Sequence, residues 1–257
     1  MKNLKELYAY REMIFSLVRK DLRTRYKGSV LGFFWTFLNP LLQLIVYTIV
    51  FSIIMRVSVD KFYIYLFVAL VPWIFFTTSI QQGANAILIN HDLVKKIYFP
   101  RLVLPIAVVS AAFMNMVFTM LVVFAALLVS GIGLSWHVIF LPVIMLLEYF
   151  MVLGMALMFS ALNVYFRDLE HILGIVTMAW FYLTPIVYTI DMVPTQFLGL
   201  FYLNPMTSIV QAYREVLYYQ QIPQFTTLGS VVVFAVIFIV AGYAIFQKLQ
   251  KNFAEEL

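Results

Sequence analysis

The sequence predicts an all-α membrane protein with six transmembrane helices, and two observations indicate this fold class. The first is a series of long uncharged runs, one of which covers the 31 residues from Leu102 to Ile132. A helix needs about 20 mainly apolar residues to cross the hydrocarbon core of a bilayer. The second is composition: hydrophobic residues make up 64% of the chain and charged residues 11%, against roughly a half and a quarter in soluble domains.

The uncharged runs are too long and too continuous for the short alternating strands of a membrane barrel. We therefore expect helices, which satisfy their own backbone hydrogen bonds in lipid. One transmembrane domain should occupy 1–257. Its predicted spans are 33–55, 62–89, 102–132, 138–162, 172–189 and 228–246.

The distribution of basic residues predicts the orientation of these spans. If the N-terminus is cytoplasmic, 14 of the 17 Lys and Arg residues lie on the inner side. Such a bias places both termini in the cytoplasm. Topology then accounts for most of the net charge of +5, so a nucleic acid is not an expected partner.

The segment 4–27 has apolar residues at helical spacing, with Lys and Arg between them. This pattern predicts an amphipathic helix on the membrane surface, with its bases facing anionic headgroups. The alternative is a basic flank that only sets topology. The residues expected at the interface are Arg19, Lys20, Arg23, Arg25 and Lys27.

Two short cytoplasmic loops mix charged residues with apolar ones. The loop 90–101 carries His91, Asp92, Leu93, Lys95, Lys96 and Tyr98, and a second loop carries Arg167, Asp168 and Glu170. Exposed apolar side chains rimmed by charge are typical of a docking surface. We therefore predict that a partner binds the loop 90–101. In the second loop, Arg167 and Asp168 form either a local ion pair or a further docking point.

The region 190–225 is expected on the outer side and is broken by Pro194, Pro205 and Pro223 into pieces too short to span. A re-entrant helical hairpin fits this pattern, because irregular backbone at membrane depth is tolerated where protein covers it. A loop lying on the surface is the alternative.

Polar residues within the spans allow two interpretations. Gln81, Gln82 and Asn85 make the inner half of the second span polar, and they either line a wet cavity or join neighbouring helices. Glu148 is the one acid inside a predicted span. An ionisable group at that depth is a functional candidate, here a proton relay, or else a structural hydrogen-bonding group.

Several kinds of chemistry have no motif in this chain. It contains no cysteine, no G-x-x-x-x-G-K-[ST] phosphate loop, no metal-binding motif and no nucleophile motif. We expect no catalytic residue, no metal and no cofactor in this subunit. An active transporter built from it requires a separate energy-coupling subunit.

An ordered set of short motifs resembles the permease subunits of bacterial ABC exporters of polysaccharides and polyol phosphates. The matching pieces are Arg25–Gly32 before Trp35 and Pro40, Asn90–Pro105, Tyr165–Leu169, Thr184–Tyr188, and Leu203–Pro205 with Arg214. One departure is Phe166, where a second arginine or a tyrosine is common.

The resemblance implies a homodimer in the bacterial inner membrane, bound to two copies of a separate ATPase that uses ATP and magnesium. The cargo would be a lipid-linked O-antigen, capsule or teichoic acid polymer. The interface helix and the two loops would couple to the ATPase. The outer hairpin would form a gate with Pro185, Pro194, Asn204, Pro205 and Arg214.

The chain holds 25 Phe, 16 Tyr and 4 Trp, many of which are expected at the membrane interfaces. Aromatic rings also stack on flat sugar faces, so we expect a sliding polymer to meet aromatic and amide side chains. The predicted path residues are Gln43, Tyr47, Trp73, Gln81, Gln82, Asn85 and Tyr182. Three alternatives remain open: export of small drugs or lipids, proton-coupled transport through Glu148, and an enzyme acting on lipid-linked sugars.

Overall fold

A computed structural model describes residues 2–24, 28–56 and 59–257. The predicted all-α class is confirmed, since these residues form helices joined by turns and contain no strand. Five helical segments are long and apolar enough to cross a membrane, in agreement with a polytopic membrane protein. The exact number of spans stays a prediction.

The predicted amphipathic helix 4–27 consists of two helices, α1 (Lys2–Ala9) and α2 (Arg11–Thr24), separated at Tyr10. Helix α2 packs against the third span, yet none of its residues is fully buried. Arg25 and Lys27 lie outside the described residues.

The first span starts with a 3₁₀ turn, Gly32–Phe34, and continues as α3 (Trp35–Thr48) and a π-helical segment, Ile49–Ile54. The second span, α4 (Phe62–Ala84), ends earlier than the predicted 62–89 because the helix breaks at Asn85. Two short helices follow: α5 (Ala86–Ile89) and α6 (His91–Lys96). The predicted loop 90–101 is thus half helical.

The third and fourth spans are α7 (Val103–Val129) and α8 (Leu141–Tyr165). The predicted fifth span, 172–189, is the 14-residue helix α9 (Leu169–Tyr182), which is about 21 Å long and shorter than the hydrocarbon core. The last span is α12 (Phe225–Leu249), and α13 (Phe253–Glu256) follows it.

Between α9 and α12 the chain forms two short helices, α10 (Leu198–Tyr202) and α11 (Pro205–Leu217). Asn204 starts α11, because its side-chain oxygen accepts a 3.0 Å hydrogen bond from the Met206 amide and Pro205 occupies the first helical position. Twelve of the 13 residues of α11 are buried, against α4, α8 and α12. This burial favours a hairpin that folds back into the bundle over a loop lying on the surface.

Helix α4 occupies the centre of the bundle and contacts α3, α7, α8, α9 and α11. The closest helix pair is α8 with α12, which meet at Gly154 and Gly242. A Cβ atom on Gly154 would overlap the backbone of Phe238, and one on Gly242 would overlap that of Gly154. Small residues at such crossings allow two helix backbones to touch.

Candidate transport pathway and coupling surface

Aromatic side chains from three helices meet around Phe181, near the C-terminal end of α9. Tyr47 of α3 stacks on Phe181 with ring centroids 5.3 Å apart, and Trp73 of α4 lies edge-on at 5.7 Å. Tyr182 is next in sequence, with its ring 5.3 Å from that of Phe181. Three predicted path residues therefore share one cluster, whose central residue, Phe181, was not among the predicted residues.

The members of this cluster differ in exposure. Trp73 and Phe181 are buried, Tyr47 is half-buried and 59% of Tyr182 is exposed. Of these four side chains only the two tyrosines present surface, so Trp73 supports the cluster from its buried side. Gln43, one helical turn before Tyr47, is exposed on α3.

Amide side chains continue along α4 toward its C-terminal end. Gln81 donates a 3.0 Å hydrogen bond to the Thr177 hydroxyl of α9, and the side-chain nitrogen of Asn163 in α8 donates one of 2.9 Å to Asn85 Oδ1. Gln82 is exposed beside them. Two of the three predicted polar residues thus join helices, and their side chains still reach the surface at least in part.

The outer region is held by Arg214, whose side chain is completely buried. Its guanidinium donates to the carbonyl oxygens of Pro185 at 2.5 Å, Ile186 at 2.7 Å and Tyr65 at 3.4 Å, and its Cζ lies 3.5 Å from the centre of the Tyr65 ring. Arg214 therefore joins α11 to α4 and to the segment that follows α9. Arg214 thus fixes the position of α11 relative to these two elements.

Asn204 makes a second connection in the same region. Its side-chain oxygen accepts from the Trp180 indole at 2.8 Å, and its side-chain nitrogen donates to the Thr184 hydroxyl at 2.9 Å and to the Leu183 carbonyl at 3.1 Å. Pro205 is buried and Pro194 is exposed. Four of the five predicted gate residues, Pro185, Asn204, Pro205 and Arg214, thus belong to one connected structure.

The predicted docking residues lie together on the exposed surface of α6 and the turn after it. Lys96 and Asp92 form an ion pair at 3.1 Å, His91 lies 3.7 Å from Asp92, and 89% of Tyr98 is exposed. Leu93 is half-buried and Lys95 is exposed. In the second loop, Arg167, Asp168 and Glu170 are all exposed.

The amino-acid sequence matches a known family. Residues 12–218 match the family described as ABC-2 type transporter. The chain belongs to this family. It is 36% identical over 256 residues to the O-antigen export system permease protein RfbA of Myxococcus xanthus, covering 99% of this chain and 98% of the relative.

Two further relatives span almost the same length. The O-antigen export system permease protein RfbA of Klebsiella pneumoniae is 34% identical over 248 residues, covering 96% of this chain and 95% of that protein. The polysialic acid transport protein KpsM of Escherichia coli is 21% identical over 241 residues, covering 92% and 93%.

The C-terminal turn of this ABC-2 transporter packs beside the predicted docking loops, a contact that the sequence did not predict. Arg101 donates a hydrogen bond to the Gln250 carbonyl oxygen, and the Tyr165 hydroxyl donates one of 2.9 Å to that of Leu249. Phe253 is completely buried, with its ring 5.6 Å from that of Phe246. These two hydrogen bonds connect the chain at both predicted docking loops to the end of α12.

The N-terminal helices also contact the loop 90–101. The Tyr10 hydroxyl lies 3.4 Å from the Tyr98 carbonyl oxygen, and a cavity of about 490 Å³ lies between Glu6, Tyr10, Tyr98, Arg101 and Lys251. Three of the predicted interface bases, Arg19, Lys20 and Arg23, are exposed on α2.

Among the residues that the structure describes, no group of three or more His, Cys, Asp or Glu is arranged to hold a metal ion.

Proposed function

We propose that this ABC-2 transporter chain is the membrane subunit of an ATP-driven exporter that moves a lipid-linked polysaccharide across the bacterial inner membrane. The observation that carries this proposal is its end-to-end similarity to permease proteins named for O-antigen export, at 36% and 34% identity. The more distant similarity to a polysialic acid transport protein supports a polymer rather than a small drug as the cargo.

The proposed energy source is a separate ATPase with its own ATP and magnesium. The sequence of this chain has no phosphate loop, so nucleotide binding is assigned to the partner. The exposed helix α6, the Arg167–Glu170 loop and the C-terminal turn form the surface proposed for ATPase docking. Because 14 of the 17 basic residues lie on that side of the spans, we place it and both termini in the cytoplasm.

We further propose that two copies of the chain form the conduit. Helices α3 and α9 expose large apolar side chains beside Tyr47 and Tyr182, among them Ile45, Val46, Ile175 and Met178. A second copy packed on these faces would bring two aromatic clusters toward a common axis. Rings stacked on sugar faces and amides exchanging hydrogen bonds would hold a polymer weakly at many points, so that it slides.

Copurification with candidate ATPases, followed by hydrolysis measurements in proteoliposomes, tests this function. We expect lipid-linked polysaccharide to stimulate ATP hydrolysis, with the same polymer lacking its lipid as the matched control. Stimulation by small amphipathic drugs alone would favour the drug or lipid exporter. Transport driven by a proton gradient without any ATPase would favour the secondary transporter.

A further inference from the structure

An open groove runs along the amphipathic helix α2, where this helix packs beside the third and fourth spans. Its volume is about 1000 Å³, against about 490 Å³ for the cavity beside Tyr98. One wall comes from α2 and the other from α7 and α8. The proposed transport path does not include it, because that path follows α3, α4 and α9.

The interior of the groove is apolar. Helix α2 contributes Ile14, Phe15, Val18 and Leu22, and the spans contribute Phe113, Met114 and Leu146. The polar groups at its base, Ser110 and Tyr149, lie 2.9 Å apart and hydrogen-bond to each other. The base therefore presents no polar group in need of a ligand, which suits hydrocarbon chains.

The rim of the groove is basic. Arg19 and Arg23 line it and are exposed, and neither forms a hydrogen bond or an ion pair with any part of the chain that the structure describes. Glu12, which also lines the groove, lies 3.7 Å from Arg11, which does not. The guanidinium groups of Arg19 and Arg23 therefore lie at the edge of an apolar groove.

We propose that this groove binds one anionic glycerophospholipid. Its phosphate would accept hydrogen bonds from Arg19 and Arg23, and its acyl chains would lie along Phe15, Phe113 and Leu146. Basic pockets between helices on the cytoplasmic side of a membrane bind anionic headgroups, and guanidinium groups suit phosphate because their donors match its oxygens. The lipid would fill the space between α2 and the third span. The proposal rests on the membrane location of the chain and not on its cargo.

Native mass spectrometry of the full chain released from nanodiscs tests the headgroup contact. The nanodiscs contain phosphatidylglycerol and phosphatidylcholine in equal amounts. We expect one retained phosphatidylglycerol, and about tenfold lower retention in Arg19→Gln/Arg23→Gln. The matched control, Arg11→Gln/Lys20→Gln, removes two charges from the same helix outside the groove and should retain the lipid. Equal losses in both variants, or none in either, would overturn the proposal.

A second variant tests the apolar channel without changing charge. Met114→Trp places a bulky aromatic ring in the groove, so it should reduce phosphatidylglycerol retention. An unchanged thermal unfolding temperature would show that the variant is folded. Unchanged retention would argue against acyl chains in the groove. Undecaprenyl diphosphate is added as a competitor and should not displace the phospholipid, since displacement would assign the site to a polymer carrier. This readout does not depend on export, so failure of the proposed function leaves it interpretable.

Discussion

The hydroxyl of Tyr213 donates a 2.6 Å hydrogen bond to Glu148 Oε2, and both side chains are completely buried. This bond joins the outer helix α11 to the middle of the fourth span. The other carboxyl oxygen of Glu148 has no hydrogen-bond partner among the described residues. The one acid inside a predicted span therefore has a structural partner, and the arrangement favours a fastening between helices over a proton relay.

Tyr213→Phe should lower the unfolding temperature by about 1–8 °C. Hydrogen bonds between membrane helices contribute about 0.6–2 kcal/mol, and 1 kcal/mol corresponds to about 2–4 °C for a protein near this size. Glu148→Gln should change stability less, because its amide oxygen still accepts from Tyr213, and it should preserve ATP-driven export. Thermal unfolding in detergent and export in proteoliposomes check both expectations. Loss of export in Glu148→Gln at normal stability would instead favour a relay.

Arg214→Lys should destabilise the outer hairpin although it keeps the charge. Arg214 donates to three carbonyl oxygens and covers the Tyr65 ring, whereas a lysine ammonium cannot match that planar set of donors. We expect a loss of about 2–3 kcal/mol, since hydrogen bonds from charged groups are among the stronger ones. Thermal unfolding measures the loss. The control is Arg56→Lys at an exposed position, and equal effects at both sites would contradict the assignment.

Tyr182→Ala should slow export without lowering stability, because 59% of its side chain is exposed. A lost stacking contact of about 0.5–1.5 kcal/mol corresponds to roughly a twofold to tenfold slower step. Phe181→Ala should reduce both export and stability, since it removes the buried centre of the cluster. Phe225→Ala, at a 91% exposed position at the start of α12, serves as the control. Normal export in Tyr182→Ala, Tyr47→Ala and Trp73→Ala would argue against aromatic guidance of the polymer.

Composition and uncharged runs were sufficient to predict the helical class, because a bilayer imposes length and polarity on each span separately. The same signals could not predict the role of Arg214, whose partners at Pro185 and Ile186 lie 28 or 29 residues away in sequence. A basic residue in a region broken by prolines looks the same in sequence whether it faces a path or binds carbonyl groups. The docking loop was predicted from its exposed apolar residues, whereas the buried Phe253 gives no such signal within a polar tail.

Phe253→Ala should weaken ATPase binding while leaving the spans folded. Its buried ring holds the C-terminal turn on the docking region, and Arg101 lies over that ring at 5.6 Å. Without this anchor the turn is free to move away from Tyr165, and the proposed docking surface loses one of its parts. Binding of the purified ATPase to the reconstituted chain measures the effect, with exposed Lys248→Gln as the control. Unchanged ATPase affinity would restrict docking to the two loops.

Gly242→Ala should destabilise the bundle even though alanine favours helices. The added Cβ would overlap the backbone of Gly154, so α8 and α12 would have to separate along their contact. Overpacking typically costs about 1–3 kcal/mol, which exceeds the gain of up to about 1 kcal/mol in helix propensity. Gly229 offers a matched control on the same helix, because a Cβ there meets no atom within 4 Å. We expect a lower unfolding temperature for Gly242→Ala and an equal or higher one for Gly229→Ala. If both substitutions raise the unfolding temperature, the two helices do not touch at Gly154.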